Sequence, residues 1–277
     1  MFVKNGTGRL RKVLLSPPDF LKAAKINEIA KLWNYDLDNE KMKIEFQALV
    51  QAYKDNDIEV CFLGADEERP NSVFARDFGG CVKEGYILGN FKYPLRFKEH
   101  IDYEKRMEEL GVPLIARCNE GILEGGDFAF LDERTIAIGM ADRTDELGVN
   151  EVREQLAPLG YEVIGVTIKK EYLHLDMCFN LVDETLAVAY VEGLPKSFVE
   201  RLTRMGIELI PVTEESIFAH GCNLQALGNK KVLSLKQNEW VNEELRKKGI
   251  NVIELDITEI LKAGGGPHCM TFPLLRD

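Results

Sequence analysis

Leu159-Gly160-Tyr161-Glu162-Val163-Ile164, Met205-Gly206-Ile207-Glu208-Leu209-Ile210 and Lys248-Gly249-Ile250-Asn251-Val252-Ile253 are three copies of one pattern. Each is a glycine followed by a short run rich in strand formers. Leu110-Gly111-Val112-Pro113-Leu114-Ile115 is a looser copy. Asn56-Asp57-Ile58-Glu59-Val60-Cys61 is another, in which Asn56 or Asp57 replaces the glycine as a left-handed helix stop. Gly111, Gly160, Gly206 and Gly249 are 49, 46 and 43 residues apart, a spacing that marks a repeated supersecondary unit.

The residues upstream of each glycine complete the unit. Val152, Leu156 and Leu159 recur at i, i+4, i+7, as do Phe198, Leu202 and Met205, so each trio shares one helix face. Asn150 and Asn238 are expected helix N-caps. Before each helix stand two strand-like runs around a polar turn: Gly80 to Phe91 around Glu84-Gly85, Asp127 to Met140 around Asp132-Glu133, Phe179 to Tyr190 around Asp183-Glu184, and Asn223 to Leu235 around Gly228-Asn229. The unit is therefore ββαβ, about five times over. The first copy lacks a hairpin, and its missing strand is expected from Met270 to Leu275 pairing with Arg11 to Leu15. Five units in a ring give a closed, pseudo-symmetric, five-bladed α/β propeller forming one domain over residues 1–277. The competing reading is a generic α/β sheet with coincidental spacing. The ordered recurrence, which leaves few residues over, favours the ring.

Composition bounds the function. With 45% hydrophobic and 29% charged residues among 277, the chain reads as globular, with a substantial core. No apolar run approaches the roughly eighteen residues that span a bilayer, and the start offers only a three-residue apolar stretch, too short for a signal peptide. A cytoplasmic protein is expected. The formal charge of −11 argues against nucleic acid and acidic membranes as partners and is compatible with a small cationic one. Six cysteines without a CxxC pair read as reduced thiols, at least one of them open to a catalytic role.

The sharpest polar residues stand at equivalent places, just before each hairpin. They are Arg76-Asp77, Glu124-Gly125-Gly126-Asp127, His174-Leu175-Asp176, His220-Gly221-Cys222-Asn223 and, before the last strand, Gly264-Gly265-Gly266-Pro267-His268-Cys269. Rotational repetition puts equivalent positions at one radius and height, so these segments are expected to converge on the axis. A thiol becomes a nucleophile when an imidazole or a bound cation favours its anion. Cys269 is the candidate nucleophile and His174 its acid/base partner. Asp77, Asp176 and Glu124 would make an acidic hollow suited to a planar cation with several N–H donors. Taken singly, each motif has a plainer reading: a buried cysteine, a satisfied His–Asp pair, a glycine turn. At matched repeat positions they favour a site.

The set FARD, LEGGD, LHLD and GGGPHCM resembles the guanidino-group-modifying enzymes of the pentein superfamily. These include arginine deiminases, dimethylarginine dimethylaminohydrolases, agmatine deiminases and amidinotransferases. The resemblance covers nearly the whole chain. It implies a five-bladed α/β propeller and a Cys-bound amidino (thiouronium) intermediate, with no cofactor and no metal. It casts Cys269 as nucleophile and His174 as general acid/base. Asp77 and Asp176 would grip the guanidinium, and Glu124 would orient the histidine or share in that grip. IGMADRT is similar to a stretch that carries a carboxylate-binding arginine, which falls on Arg143, and Arg96 stands where dimethylarginine hydrolases have another. The length is that of a dimethylarginine hydrolase, whereas HLD in place of HLK fits an unmethylated guanidinium. His268 before the cysteine is similar to amidinotransferases and agmatine deiminases.

The expected activity is hydrolysis of a guanidino C–N bond of arginine or a related compound, giving a ureido product such as citrulline plus ammonia or an alkylamine. An amidinotransferase using the same residues is the alternative, and a non-catalytic binding protein of the same fold a remote one. A metal site on His268, Cys269, His220 and Cys222 is disfavoured because neighbouring side chains on a strand point to opposite faces. A homo-oligomer is compatible with all of this.

Overall fold

The computed structural model describes residues 2–23, 30–31 and 37–277. Its strands form five three-stranded sheets. Four are continuous in sequence: β3 (Gly79–Val82), β4 (Gly85–Leu88) and β5 (Leu114–Arg117); β6 (Phe128–Phe130), β7 (Thr135–Met140) and β8 (Glu162–Thr167); β9 (Phe179–Asp183), β10 (Leu186–Ala189) and β11 (Glu208–Pro211); β12 (Gln225–Gly228), β13 (Lys231–Leu235) and β14 (Asn251–Leu255). In each, the first two strands are antiparallel and the last two parallel. A parallel pair needs a crossover. Helices α2 (Glu99–Glu109), α3 (Glu146–Leu156), α4 (Lys196–Arg204) and α6 (Glu239–Lys247) supply it, with the short α5 (Glu214–Phe218) between blades.

The remaining blade closes the ring. β1 (Leu10–Leu15) runs parallel to β2 (Glu59–Phe62) through α1 (Asn39–Lys54), and its antiparallel partner is β15 (Phe272–Arg276), from the far end of the sequence. Neighbouring blades touch in cyclic order. β15 meets β3, β3 meets the turn leading into β6, β6 meets β9, β9 meets β12, and β12 returns to β1. Residues of β3, β6, β9, β12 and β15 line one axial cavity, so the first strand of every blade faces the axis. This is a five-bladed α/β propeller.

Local chemistry explains the punctuation. Gly111, Gly160, Gly206 and Gly249 all have φ between 69° and 83°. That is the left-handed conformation glycine adopts without a side-chain penalty. In the first blade Asp57 takes the same role at φ 58°. Val152, Leu156, Phe198 and Leu202 are buried on their helix faces, while Leu159 and Met205, at the helix ends, are half-buried. Two boundaries differ from the sequence reading. Helix α3 is capped by Asp145, whose carboxylate accepts from Gly148 N at 2.8 Å, so Asn150 lies inside it. The β12–β13 turn is centred on Asn229 and Lys230, with φ 51° and 56°, as a two-residue turn matching the twist of a hairpin requires. Asn238 does stand at the start of α6, but its amide donates to His220 O at 3.1 Å and caps no helical N–H. No helix among the described residues is long and apolar enough to cross a membrane.

Candidate active site

Short 3₁₀ turns at Ala75–Phe78, Gly125–Asp127 and Leu175–Met177 precede β3, β6 and β9. Adjacent turns touch, the first on the second and the second on the third. The close packing fixes sequence: a Cβ on Gly126 would lie 2.6 Å from His174 Nδ1 and 3.1 Å from Asp77 Oδ1. The first turn, the residues that lead into the third and the segment before β15 enclose, with Arg96 and Arg143, a narrow cavity of ≈ 20 Å³. It is lined by Asn71, Phe74, Asp77, Arg96, Arg143, Leu173, His174, Gly264 and Cys269.

One side of the cavity carries the imidazole. His174 Nε2 lies 3.1 Å from Glu124 Oε2, and Nδ1 lies 3.8 Å from Asp77 Oδ1. His174 is aimed by an uncommon backbone: Leu173 has φ 67° and ψ −67°, and His174 N bonds to Tyr172 O at 2.8 Å. That is a strained three-residue turn. Asp127 secures the next residue, accepting from Leu175 N at 2.8 Å and from Thr144 Oγ1 at 2.7 Å. Burial alone would push His174 down, but Asp77, Glu124 and Asp127 outweigh it and hold the imidazole up at about 9. Burial would raise Glu124, yet Arg143, His174 and Arg96 bring it down to about 2. Asp77 is raised, because burial exceeds the opposing pull of His174 and Arg96.

The other side carries the thiol. Cys269 Sγ accepts from Asn223 Nδ2 at 3.0 Å and lies 3.5 Å from Asp176 Oδ2. Asn223 Oδ1 accepts from the backbone N–H of His268 and of Cys269, at 3.1 and 3.3 Å. His268 Nδ1 is 2.8 Å from Asp176 Oδ2. Burial, then the carboxylates of Asp176 and Asp77, push the Cys269 thiol far up, against the Asn223 hydrogen bond. Burial and the charge of Arg76 drop His268 to about 4, so at neutral pH it is a neutral ring donating to Asp176. Asp176 is lowered: burial works against its ionisation, but His268, His174 and Arg76 prevail.

The structure thus brings Asp77, His174 and Cys269 onto one hollow, with Glu124 bonded to His174 and Asp176 beside Cys269. Arg143 reaches it too, with Nη1 3.1 Å from Glu124 Oε2 and its guanidinium over the Tyr93 ring at 4.6 Å. Arg96 lines the hollow with every nitrogen engaged. Nε and Nη2 bond Glu99 at 2.9 and 2.8 Å, and Nη1 bonds Asp77 Oδ2 at 2.5 Å. To hold a substrate carboxylate it would have to release one of these. Two amides escaped the sequence reading as site residues. Asn223 positions the thiol, and Asn71 is buried on the wall with its Oδ1 unpartnered. Their one signal was placement in the segments before a blade's inner strand. Asp77, Glu124 and His174 offer ligand atoms within 4.8 Å of one another, a set able to surround a cation. Arg96 and Arg143 already neutralise two of them. Chemically the site offers a proton donor, a latent nucleophile and acidic acceptors.

A family model described as N,N dimethylarginine dimethylhydrolase, eukaryotic, matches residues 18–276. The chain belongs to that family. It is therefore a pentein guanidino-modifying enzyme, as its motifs imply. The family member is 31% identical over 273 residues to the uncharacterized Bacillus subtilis protein YkgA, covering 97% of this chain and 93% of that one. It is 27% identical to arginine deiminase of Listeria welshimeri over 75% of its own length, and spans 62% of the deiminase. Among solved structures, the N-terminal domain of ArgZ, a cyanobacterial arginine dihydrolase bound to product, superposes with TM-score 0.85 at 24% identity, covering 95% of this chain and 96% of that domain. Pseudomonas aeruginosa DDAH complexed with citrulline superposes with TM-score 0.82 at 21% identity, over 96% and 99% of the two chains. At such identities the family member shares their fold.

Proposed function

We propose that this enzyme hydrolyses an unmethylated guanidinium, that of arginine or a close relative, to a ureido product and ammonia. One observation carries the reading. Asp77 Oδ1 and Asp176 Oδ1 are both buried without any hydrogen-bond partner, and so is His174 Nδ1. A buried carboxylate oxygen left unpaired is costly. A flat cation with N–H groups on both terminal nitrogens would satisfy both oxygens, whereas methyl groups would remove donors. The relatives that act on or bind arginine and citrulline support the substrate class.

The chemistry follows from the ionisation of the free site. The imidazole holds a proton at neutral pH and the thiol is uncharged, so the arriving cation is what favours the thiolate, the thiol proton leaving to solvent. Cys269 Sγ attacks the guanidinium carbon, forming an S–C bond. His174 gives its proton to the departing nitrogen, the C–N bond breaks and ammonia leaves a thiouronium on Cys269. His174 then takes a proton from water as that water attacks the same carbon. The S–C bond breaks, the hydroxyl proton on that carbon passes to solvent, and the ureido product and the thiolate are released. Asp77 and Asp176 hold the cation in line. Arg143 is the candidate partner for a substrate carboxylate, while Arg96 braces Asp77.

The test is a panel of arginine, methylarginines, agmatine and guanidino acids, with and without glycine as amine acceptor. The expected result is arginine-dependent ureido product and ammonia, unaffected by glycine, with dimethylarginine at least about tenfold slower for the loss of one charged hydrogen bond. Faster release of dimethylamine, or glycine-dependent release of ornithine, would replace this reading with dimethylarginine hydrolysis or amidino transfer.

A further inference from the structure

The described residues include five buried arginines: Arg69, Arg76, Arg96, Arg143 and Arg276. Three pair with carboxylates: Arg69 with Asp102, Arg96 with Asp77 and Glu99, Arg143 with Glu124. Arg76 and Arg276 have none within 4.0 Å among the described residues. Both line the same axial cavity, of ≈ 60 Å³, on the side of Asp176 and His268 away from the substrate hollow.

Their bonds are to neutral acceptors. Arg76 Nη2 donates to Gln225 Oε1 at 3.0 Å, and Nε to His268 O at 3.4 Å. Arg276 donates to the carbonyls of Gly8 and Ala226 at 2.6 and 2.8 Å. Burial together with the charge of Arg76 brings Arg276 down to about 9. The one acid that lines the cavity, Asp176, has Oδ2 engaged by His268 and Asn223 and Oδ1 without a hydrogen-bond partner. Two cations and one carboxylate leave this interior one positive charge in excess. Buried charge is ordinarily paired. Half-exposed Asn5 and Gly6 line the same cavity, and Asn5 Oδ1 is taken by Thr7 N and Gly8 N, which leaves the Asn5 amide N–H₂ for a ligand.

We propose that this axial cavity binds one small monovalent anion, a halide or a single carboxylate-type oxyanion, between Arg76 and Arg276. The volume suits such a ligand: ≈ 60 Å³ is several times the ~10–15 Å³ that seats one water, room for a small anion with a water beside it. Bound there, the anion neutralises the surplus charge and stabilises the folded ring from inside. The inference does not depend on the substrate proposed above.

Equilibrium dialysis of the intact protein with labelled chloride and with labelled formate, in parallel, reads the site directly. Ionic strength is held constant with gluconate, a much bulkier anion. The expected result is one saturable site per chain for at least one of the two, the pair telling a halide from an oxyanion site. At about a hundred times its Kd the anion should raise the folding equilibrium constant about a hundredfold, seen as a rise in Tm. Asn5→Asp keeps both backbone hydrogen bonds and puts a carboxylate at the mouth, so it should fold and bind the anion at least about tenfold more weakly. Arg276→Met should lose the anion-dependent rise in Tm. No stoichiometric binding of either anion, or a Tm that follows ionic strength alone, would overturn the proposal.

Discussion

The two sides of the substrate hollow are built from similar residues and hold opposite charge states. Around His174, three carboxylates outweigh burial and keep an imidazole protonated at about 9. Around Cys269, a second imidazole is dropped to about 4 and the thiol is pushed up, although Asp176 also stands beside it. Buried arginines account for much of the contrast. Arg96 and Arg143 pair with the acids on the histidine side, whereas Arg76 bears on His268 from the cysteine side. The first side is loaded with a proton before substrate arrives. On the proposed reading the second waits for a cation. Identity of side chain decides little here, and the neighbouring charge decides the role.

Removing the waiting group should have the largest effect. Cys269→Ser is expected to lower kcat by more than about 10⁴-fold while far-UV circular dichroism and Tm stay near those of the parent. Next come the two grips. Asp77→Asn and Asp176→Asn should each lower kcat/KM by roughly 30- to 1,000-fold, the scale of about 2–4 kcal/mol for breaking a buried charged pair. A loss for Asp77→Asn alone would mean that only the histidine side holds substrate. Asn223→Ala removes the N–H that supports the sulfur. A fall of about tenfold in kcat is expected, with slower iodoacetamide alkylation of Cys269 at every pH below that thiol's upward-shifted pKa.

The smallest effect sharpens the histidine side through pH. His174 titrates at about 9 when folded, against an ordinary value of 6.5. A raised cation holds its proton after the unfolded chain has lost it, so its contribution to stability is fully present below pH 6.5. It is lost progressively as pH climbs towards 9. Denaturant titrations should therefore show stability falling over that window in the parent and a flatter profile in His174→Asn. Glu124→Gln, which takes away a hydrogen bond and a charge, should move the basic limb of kcat/KM to lower pH.

The repeat was legible because its punctuation is local. A helix stop at positive φ wants glycine wherever the chain goes next, and four of five copies use one. Convergence of the pre-hairpin segments then followed from rotational equivalence, with no knowledge of contacts. The closing strand was readable from what the first blade lacked. What stayed hidden depends on tertiary partners. Asp145 caps α3 ahead of Gly148, and that glycine reads as loop until its close approach to Ile122 O, 2.3 Å from a built Cβ, is seen. Asn71 and Asn223 are neutral amides, and only their burial against the hollow gives them meaning. Arg96 carries no hint in sequence that Glu99 and Asp77 will occupy its donors.

The central claim is that Cys269 sulfur attacks a guanidinium held between Asp77 and Asp176. Rapid acid quench during turnover with arginine, followed by intact-mass and peptide-level mass spectrometry, looks at that bond directly. The account predicts an adduct on Cys269 whose mass is arginine less ammonia, absent from Cys269→Ser. An adduct carrying only the amidino group would point to transfer chemistry. An unmodified Cys269 under steady turnover, with the adduct on another residue or on none, would contradict the account.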